Sequence, residues 1–218
     1  MTRIWDINKT KEVLGETAVK LLPGIHALTG CDTTSRMFGI GKAASINKLK
    51  LSEQFREAMT TFTQANGDKK TVIAKGTEVI SCLYGGLPYE VLDILRYRKF
   101  GSKVAAGTIS VQIHALPPTM DAATQHCLRA YLQCHYWMTG EMLNPCDWGW
   151  INSANSLLPI KSIKPAAPAK LLKIIRCTCK TNCDTLRCSC RKNGIDCSIS
   201  CSECHGNCLN SSDIENID

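Results

Sequence analysis

The chain has 218 residues, 44% of them hydrophobic, and a formal net charge of +7. This length suits one ordinary domain with a small accessory module, and the composition excludes a chain that is disordered throughout. No apolar run approaches the roughly 20 residues of a membrane-spanning helix, so we expect no membrane partner. The positive charge agrees with an acidic partner such as nucleic acid, but proteins of many classes carry as much.

Four helices are predicted in the first 140 residues. Apolar residues recur at helical spacing over residues 45–64, with a break around Leu51-Ser52, and again over residues 72–84. Pro88 opens a third helix that Gly101 ends, and Thr119 precedes a fourth. The best strand candidates are residues 108–113, followed by residues 21–28. Residues 1–140 are therefore expected to form a mostly helical domain.

The remaining residues are expected to form a linker, a module and a tail. Residues 141–170 are interpreted as a linker rich in proline and small residues, in which Trp148 and Trp150 fix the chain onto the domain. Residues 171–209 form a cysteine module. Residues 210–218 are an acidic tail, predicted to be disordered.

The module holds nine of the 14 cysteines, in the pattern C-x-C-x3-C-x4-C-x-C-x6-C-x3-C-x2-C-x3-C. Residues 1–6 open no apolar signal-peptide segment, so we expect an intracellular chain whose thiols stay reduced and bind metal. Three tetrahedral zinc ions need twelve coordination positions, which nine thiolates fill if three of them bridge two metals. The predicted ligands are Cys177, Cys179, Cys183, Cys188, Cys190, Cys197, Cys201, Cys204 and Cys208.

Five cysteines are scattered over the rest of the chain: Cys31, Cys82, Cys127, Cys134 and Cys146. We interpret four of them as small buried hydrophobic side chains, which is the usual role of scattered intracellular cysteines. His205, inside the last gap of the module, is expected to be solvated because nine thiolates already suffice.

The cysteine pattern resembles the tesmin-like CXC domain, one of a group of nine-cysteine, three-zinc modules that includes DNA-binding proteins. The resemblance implies DNA as a partner and a nuclear location. It departs at Arg187, where the family has a tyrosine, and in having one repeat instead of two. Zinc and thiolates together cancel most of the positive charge, so phosphate binding would depend on the display of Arg187, Arg191 and Lys192.

A second pattern joins His26–Asp32 to Gly39-Ile40-Gly41-Lys42. Glycines that open a helix let backbone N–H groups approach a phosphate. The spacing resembles the Gly-Cys-Asp segment and the helix–hairpin–helix of flap-endonuclease-like, PIN-type nucleases. The resemblance implies that Asp32 binds Mg or Mn and that Gly39, Gly41 and Lys42 contact DNA.

Catalysis by two metal ions needs a cluster of carboxylates, and Asp32 alone fits the nuclease pattern. We therefore predict no nuclease activity. The expected fold is mainly α, an α+β remnant of a PIN-like, helix–hairpin–helix domain, followed by a small irregular zinc-cluster module. The order of motifs resembles that of proteins derived from mobile elements, and we expect the chain to be the C-terminal part of a longer ancestral protein.

Two alternatives remain open from the sequence. One is a metal-dependent nuclease whose missing ligands come from upstream sequence or from a partner chain. The other is a structural or protein-interaction module in which zinc only folds the cysteine segment, because a module this small lacks a sufficient apolar core. No small-molecule substrate is predicted, and the protein partner is not specified.

Overall fold

A computed structural model of the chain describes residues 6–105, 111–154, 156–163, 176–180, 182–197 and 201–211. Within these ranges the chain is mainly helical, which confirms the predicted class, whereas the relation to PIN-like domains stays a prediction. The helices and strands are α1 (Ile7–Leu14), α2 (Glu16–Leu28), α3 (Lys42–Leu51), α4 (Glu53–Thr60), α5 (Lys69–Leu83), α6 (Leu92–Ala105), α7 (Met120–Thr139), α8 (Ser189–Lys192), β1 (Trp150–Ser153) and β2 (Ser156–Pro159).

The chain forms two compact units. The first comprises Met1–Arg96 and Pro117–Ile163, and the second comprises Tyr97–Leu116 and Lys164–Asp218. The two strands pair as an antiparallel hairpin in the first unit. Within the described residues, no helix combines the length and the apolarity that crossing a membrane requires.

Three of the predicted helices have recognisable caps. Ser52 separates α3 from α4 at the predicted break, and its hydroxyl accepts a hydrogen bond from the Phe55 N–H at 3.2 Å. The Asp68 carboxylate accepts from the first turn of α5, and Thr119 caps α7. These side chains satisfy N–H groups that have no partner within the helix, which fixes where each helix begins.

Two predictions made from the sequence need correction. Residues 21–28 belong to α2 and not to a strand, although Pro23 lies inside that helix. A β-carbon at Gly24 would lie 2.9 Å from Met59 Cε and 3.0 Å from Phe62 Cβ, so close packing in the core outweighs the local preference of Pro-Gly for a turn. The third helix begins at Leu92 and continues past Gly101 to Ala105.

The strand predicted at residues 108–113 falls largely outside the described residues. Its last residue, Ile113, begins a short 3-10 helix, Ile113–Ala115. In the second unit, Phe100, Val111 and Leu116 form a small buried cluster, against which Ile195 of the cysteine segment packs. The Ile113 N–H donates to Asn193 Oδ1 at 3.4 Å. The described part of residues 97–116 thus packs against the cysteine segment.

Helix α7 supplies much of the core of the first unit. The Tyr131 ring is fully buried, and its hydroxyl accepts from the Gly67 N–H and donates to the Gln64 carbonyl, each at 2.8 Å. The Trp148 ring stacks on Tyr131 with 4.6 Å between centroids. The expectation that Trp148 fixes the following chain onto the domain is therefore confirmed.

The scattered cysteines differ in their surroundings. Cys127 and Cys134 on α7 are fully buried, and burial raises the pKa of each thiol to about 12. Cys82 is partly buried against the same core, and Cys31 is partly exposed. Cys146 lies in a short 3-10 turn, Pro145–Asp147, and is exposed, so four of the five scattered cysteines are at least partly buried.

We expect Gly76→Ala to destabilise the first unit. A β-carbon at residue 76 would lie 2.8 Å from Cys127 Cβ, and such overpacking costs about 1–3 kcal/mol. The control is Gly101→Ala in α6, where a β-carbon would meet open space and the better helix propensity of alanine adds up to about 1 kcal/mol. Urea titration followed by circular dichroism measures both; a Gly76→Ala variant as stable as the parent would contradict the close contact of α5 with α7.

Candidate metal centre

The cysteine segment has little regular structure. Among its described residues, α8 is the only helix, and it has a single turn. Backbone hydrogen bonds instead join distant parts of the segment: the Ser202 N–H donates to the Cys177 carbonyl, and the Leu209 N–H donates to the Asn182 carbonyl, both at 3.0 Å. The first part of the segment is therefore held beside its last part, which gathers the cysteines.

The interior of this segment is made of sulfur. Its described buried core consists of cysteine side chains, six of them less than 7% exposed and three partly buried. The buried six are Cys177, Cys183, Cys188, Cys190, Cys197 and Cys201, and the other three are Cys179, Cys204 and Cys208. Burial of aliphatic side chains does not hold such an interior together, so another interaction is required.

Neighbouring sulfur atoms are spaced as they are around a metal ion. Cys177 Sγ lies 3.8 Å from Cys183 Sγ and from Cys197 Sγ, and 3.7 Å from Cys204 Sγ. Cys190 Sγ lies 3.6 Å from Cys201 Sγ. A tetrahedral zinc ion with Zn–S bonds of about 2.3 Å places neighbouring sulfurs about 3.8 Å apart, whereas a disulfide needs about 2.05 Å. All fourteen cysteines lie in the described ranges, and all are free thiols.

Three overlapping sets of four cysteines can each surround an ion. Within each set the Sγ atoms lie within 4.8 Å of one another, and Cys177 belongs to all three. The sets are Cys177, Cys179, Cys183 and Cys188; Cys177, Cys183, Cys197 and Cys204; and Cys177, Cys188, Cys190 and Cys197. The segment can therefore hold metal ions such as zinc, and its sets share ligands.

The thiols of the cluster differ in acidity. Burial raises the pKa of Cys177 to about 12 and also raises the pKa of Cys190 and Cys197. Burial acts in the same direction on Cys188, but hydrogen bonds from the Arg191 N–H and from neighbouring thiols lower its pKa to about 7. The thiols whose pKa is raised hold their protons at neutral pH without metal, so metal binding to them displaces protons and strengthens as the pH rises.

Arg191, one of the predicted DNA contacts, donates hydrogen bonds to carbonyl groups of the segment itself. Its Nε donates to the Cys183 carbonyl at 2.8 Å, and its Nη2 donates to the Leu209 carbonyl at 2.9 Å. Cys183 has a φ of 58°, a left-handed conformation that is strained for residues other than glycine. The Arg191 guanidinium therefore holds a strained cysteine and the residue after Cys208 together.

Asn210 also belongs to this network, although the sequence places it in the predicted tail. Its Nδ2 donates to the Ile195 carbonyl at 2.9 Å and to Cys197 Sγ at 3.5 Å. Its carbonyl accepts from the Cys197 N–H at 2.6 Å. Sequence reasoning missed Asn210 because nothing in the cysteine spacing identifies a residue that supports a ligand through hydrogen bonds.

The other predicted residues of this segment are at its surface. Arg187 lies just before Cys188 and is exposed, as are Lys192 and His205. The structure thus separates the three predicted basic contacts: Arg187 and Lys192 face solvent, whereas Arg191 binds the chain itself. The exposure of His205 agrees with the expectation of a solvated side chain.

The Gly-x-Gly pattern opens a helix as expected. Gly39 has a φ of +72°, and α3 begins at Lys42, directly after Gly41. The Lys42 Nζ donates to the Gly30 carbonyl at 2.7 Å, which ties the helix start to the turn that carries Asp32. Asp32 itself is exposed. Among the described residues, the groups of three or more potential metal ligands consist of cysteines, and Asp32 belongs to none of them.

Comparison with known proteins identifies no relative of this chain. No protein-family model, curated protein or solved structure matches the chain. The resemblances to CXC and PIN-like domains therefore stay predictions.

We expect Arg191→Ala to loosen the metal site. Removing the guanidinium leaves the Cys183 and Leu209 carbonyls without their charged donor, and such hydrogen bonds contribute about 1.5–3 kcal/mol. Zinc transfer to a chromogenic chelator should then be about tenfold faster or more. The matched control is Lys192→Ala, the exposed neighbour on α8; equal transfer rates in the two variants would show that Arg191 does not support the cluster.

Proposed function

We propose that this is a zinc-binding protein whose nine clustered cysteines hold three zinc ions and whose metal module associates with DNA. The observation that carries the proposal is the overlap of the three four-cysteine sets at Cys177. Thiolate ligands in tetrahedral arrangement favour zinc among the common metal ions. The three sets hold seven of the nine cysteines, all but Cys201 and Cys208, and shared ligands would let all nine serve three ions, whereas separate four-ligand sites leave one cysteine over.

Some cysteines are better placed than others to bridge two metals. Cys177, Cys183, Cys188 and Cys197 each belong to more than one set, whereas Cys179, Cys190 and Cys204 belong to one. Cys201 joins through its contact with Cys190. Three tetrahedral ions need three bridging thiolates among nine, so we propose that the bridges come from the four residues that recur.

The DNA part of the proposal depends on exposed charge. Nine thiolates and three zinc ions carry a net negative charge that offsets most of the basic side chains of the module. Attraction to a phosphate backbone then rests on locally displayed cations. Arg187 and Lys192 are exposed close to the cluster, and we propose that they contact phosphate. A DNA partner would place the protein in the nucleus.

We propose no nuclease activity for the helical unit. Two-metal hydrolysis requires several carboxylates around a pair of ions, and exposed Asp32 lies in no group of potential ligands among the described residues. Binding of Mg or Mn at Asp32 would therefore need carboxylates from elsewhere. The Gly39–Lys42 turn keeps its proposed role as a phosphate contact of an inactive PIN-like remnant, supported by its position at the start of α3.

Native mass spectrometry tests the metal count. The parent chain should carry three zinc ions, and Cys177→Ser should carry fewer because this sulfur belongs to all three sets. The control is Cys146→Ser, which removes an exposed thiol outside the cluster and should keep three ions. Two ions in the parent would favour separate four-ligand sites, and none would refute the metal proposal.

Gel-shift titration tests the DNA contacts. The double variant Arg187→Ala and Lys192→Ala should bind duplex DNA at least about tenfold more weakly, and its salt dependence should fall by about 0.9 per lost phosphate contact. Lys180→Ala removes another exposed cation of the segment and serves as the control. Unchanged DNA binding by the double variant, with zinc still bound, would remove the module from the interaction and favour a purely structural role for zinc.

A further inference from the structure

One face of α7 borders a surface cavity in the first unit. Residues at helical spacing, Arg129, Gln133 and Tyr136, line one wall, and Trp150 and Leu157 lie among the residues of the other. The volume is about 230 Å³, below the roughly 300 Å³ at which pockets for drug-sized ligands begin. A ligand of one ring or one branched chain suits this space better than a peptide segment.

Arg129 brings an unusual charge to this cavity. The residue is only 8% exposed, and its Nη1 donates to the Gly149 carbonyl at 3.0 Å and to the Ile160 carbonyl at 3.5 Å. Its guanidinium carbon lies 5.9 Å from the centroid of the Trp150 ring. Among the described residues, no carboxylate pairs with Arg129, and its Nε and Nη2 have no hydrogen-bond partner. A buried cation without a counter-ion is costly.

Gln133 adds a second donor one turn further along α7. Its Oε1 accepts a hydrogen bond from the Thr33 hydroxyl at 2.6 Å, so the amide oxygen is already used. Its Nε2 has no partner among the described residues. The polar part of the cavity therefore offers N–H donors and a positive charge, while Tyr136, Trp150 and Leu157 offer ring and aliphatic surface.

We propose that this cavity binds a small organic carboxylate whose apolar part is one ring or one branched chain. The carboxylate accepts hydrogen bonds from Arg129 and Gln133 and supplies the missing counter-ion. Hydrogen bonds between a charged donor and a carboxylate are stronger than those between neutral groups. The apolar part of the ligand lies against Trp150 and Leu157. A purely inorganic anion would leave these two apolar side chains exposed in the cavity.

Phenylacetate is the probe, and phenylacetamide is its neutral analogue of the same shape. Titration into the zinc-loaded full chain is followed by the indole N–H resonance of Trp150, assigned with Trp150→Phe. Phenylacetate should saturate the shift with a Kd of about 1 mM or tighter, and the amide should bind at least about tenfold more weakly because it lacks the charge. Equal binding of the two, or no saturation by phenylacetate, would overturn the proposal.

Two neighbouring leucines provide matched variants. Leu157 lines the cavity and is 44% exposed, whereas Leu158 is 46% exposed and does not line it. Successive residues of a strand point to opposite faces, so Leu157→Trp should fill the cavity and weaken phenylacetate binding about tenfold or more. The Leu158→Trp variant should bind phenylacetate as tightly as the parent chain does. Equal loss in both variants, with both still folded by circular dichroism, would place the ligand elsewhere.

Discussion

The crowding of nine sulfur atoms into one interior is the constraint on which the cysteine segment depends. Its core contains cysteine side chains where other small modules have aliphatic and aromatic ones, and its described backbone has one turn of helix. Metal–sulfur bonds are the interaction that suits such an interior, with Arg191 and Asn210 arranged around it. Under the proposed zinc binding, folding of this segment and binding of the ions are one process.

The first unit rests on a different interaction. Helix α7 buries Tyr131, Cys127 and Cys134 against α2 and α5, and glycines on those helices let the backbones come close. Removal of apolar surface from water stabilises this unit, and its helices carry their own caps. Denaturants act mainly on this kind of stability, whereas chelators would act on the metal cluster that we propose for the cysteine segment.

Much of the fold and the clustering of the nine cysteines could be predicted because the signals are local. Helical spacing, Ser52 and Thr119 mark helices, and the cysteine spacing marks the cluster. Contacts between distant residues were not predictable. For example, Gly24 packs closely against Met59, and α2 therefore forms where the sequence Pro23-Gly24 suggests a turn. The role of Arg191 was not predictable for the same reason. The sequence alone does not distinguish a basic residue that contacts phosphate from one that donates hydrogen bonds to two carbonyls of its own chain.

The sulfur spacing also bears on redox chemistry. Several Sγ atoms lie 3.6 to 3.8 Å from a neighbour, a short movement from the bond length of a disulfide, about 2.05 Å. Oxidation of two thiols would form one disulfide, give two electrons and two protons to the oxidant and remove two metal ligands. Because nine is an odd number, the cluster has no state in which every thiol is paired internally. Metal ions therefore allow all nine sulfurs to be bound at once, which internal disulfides never do.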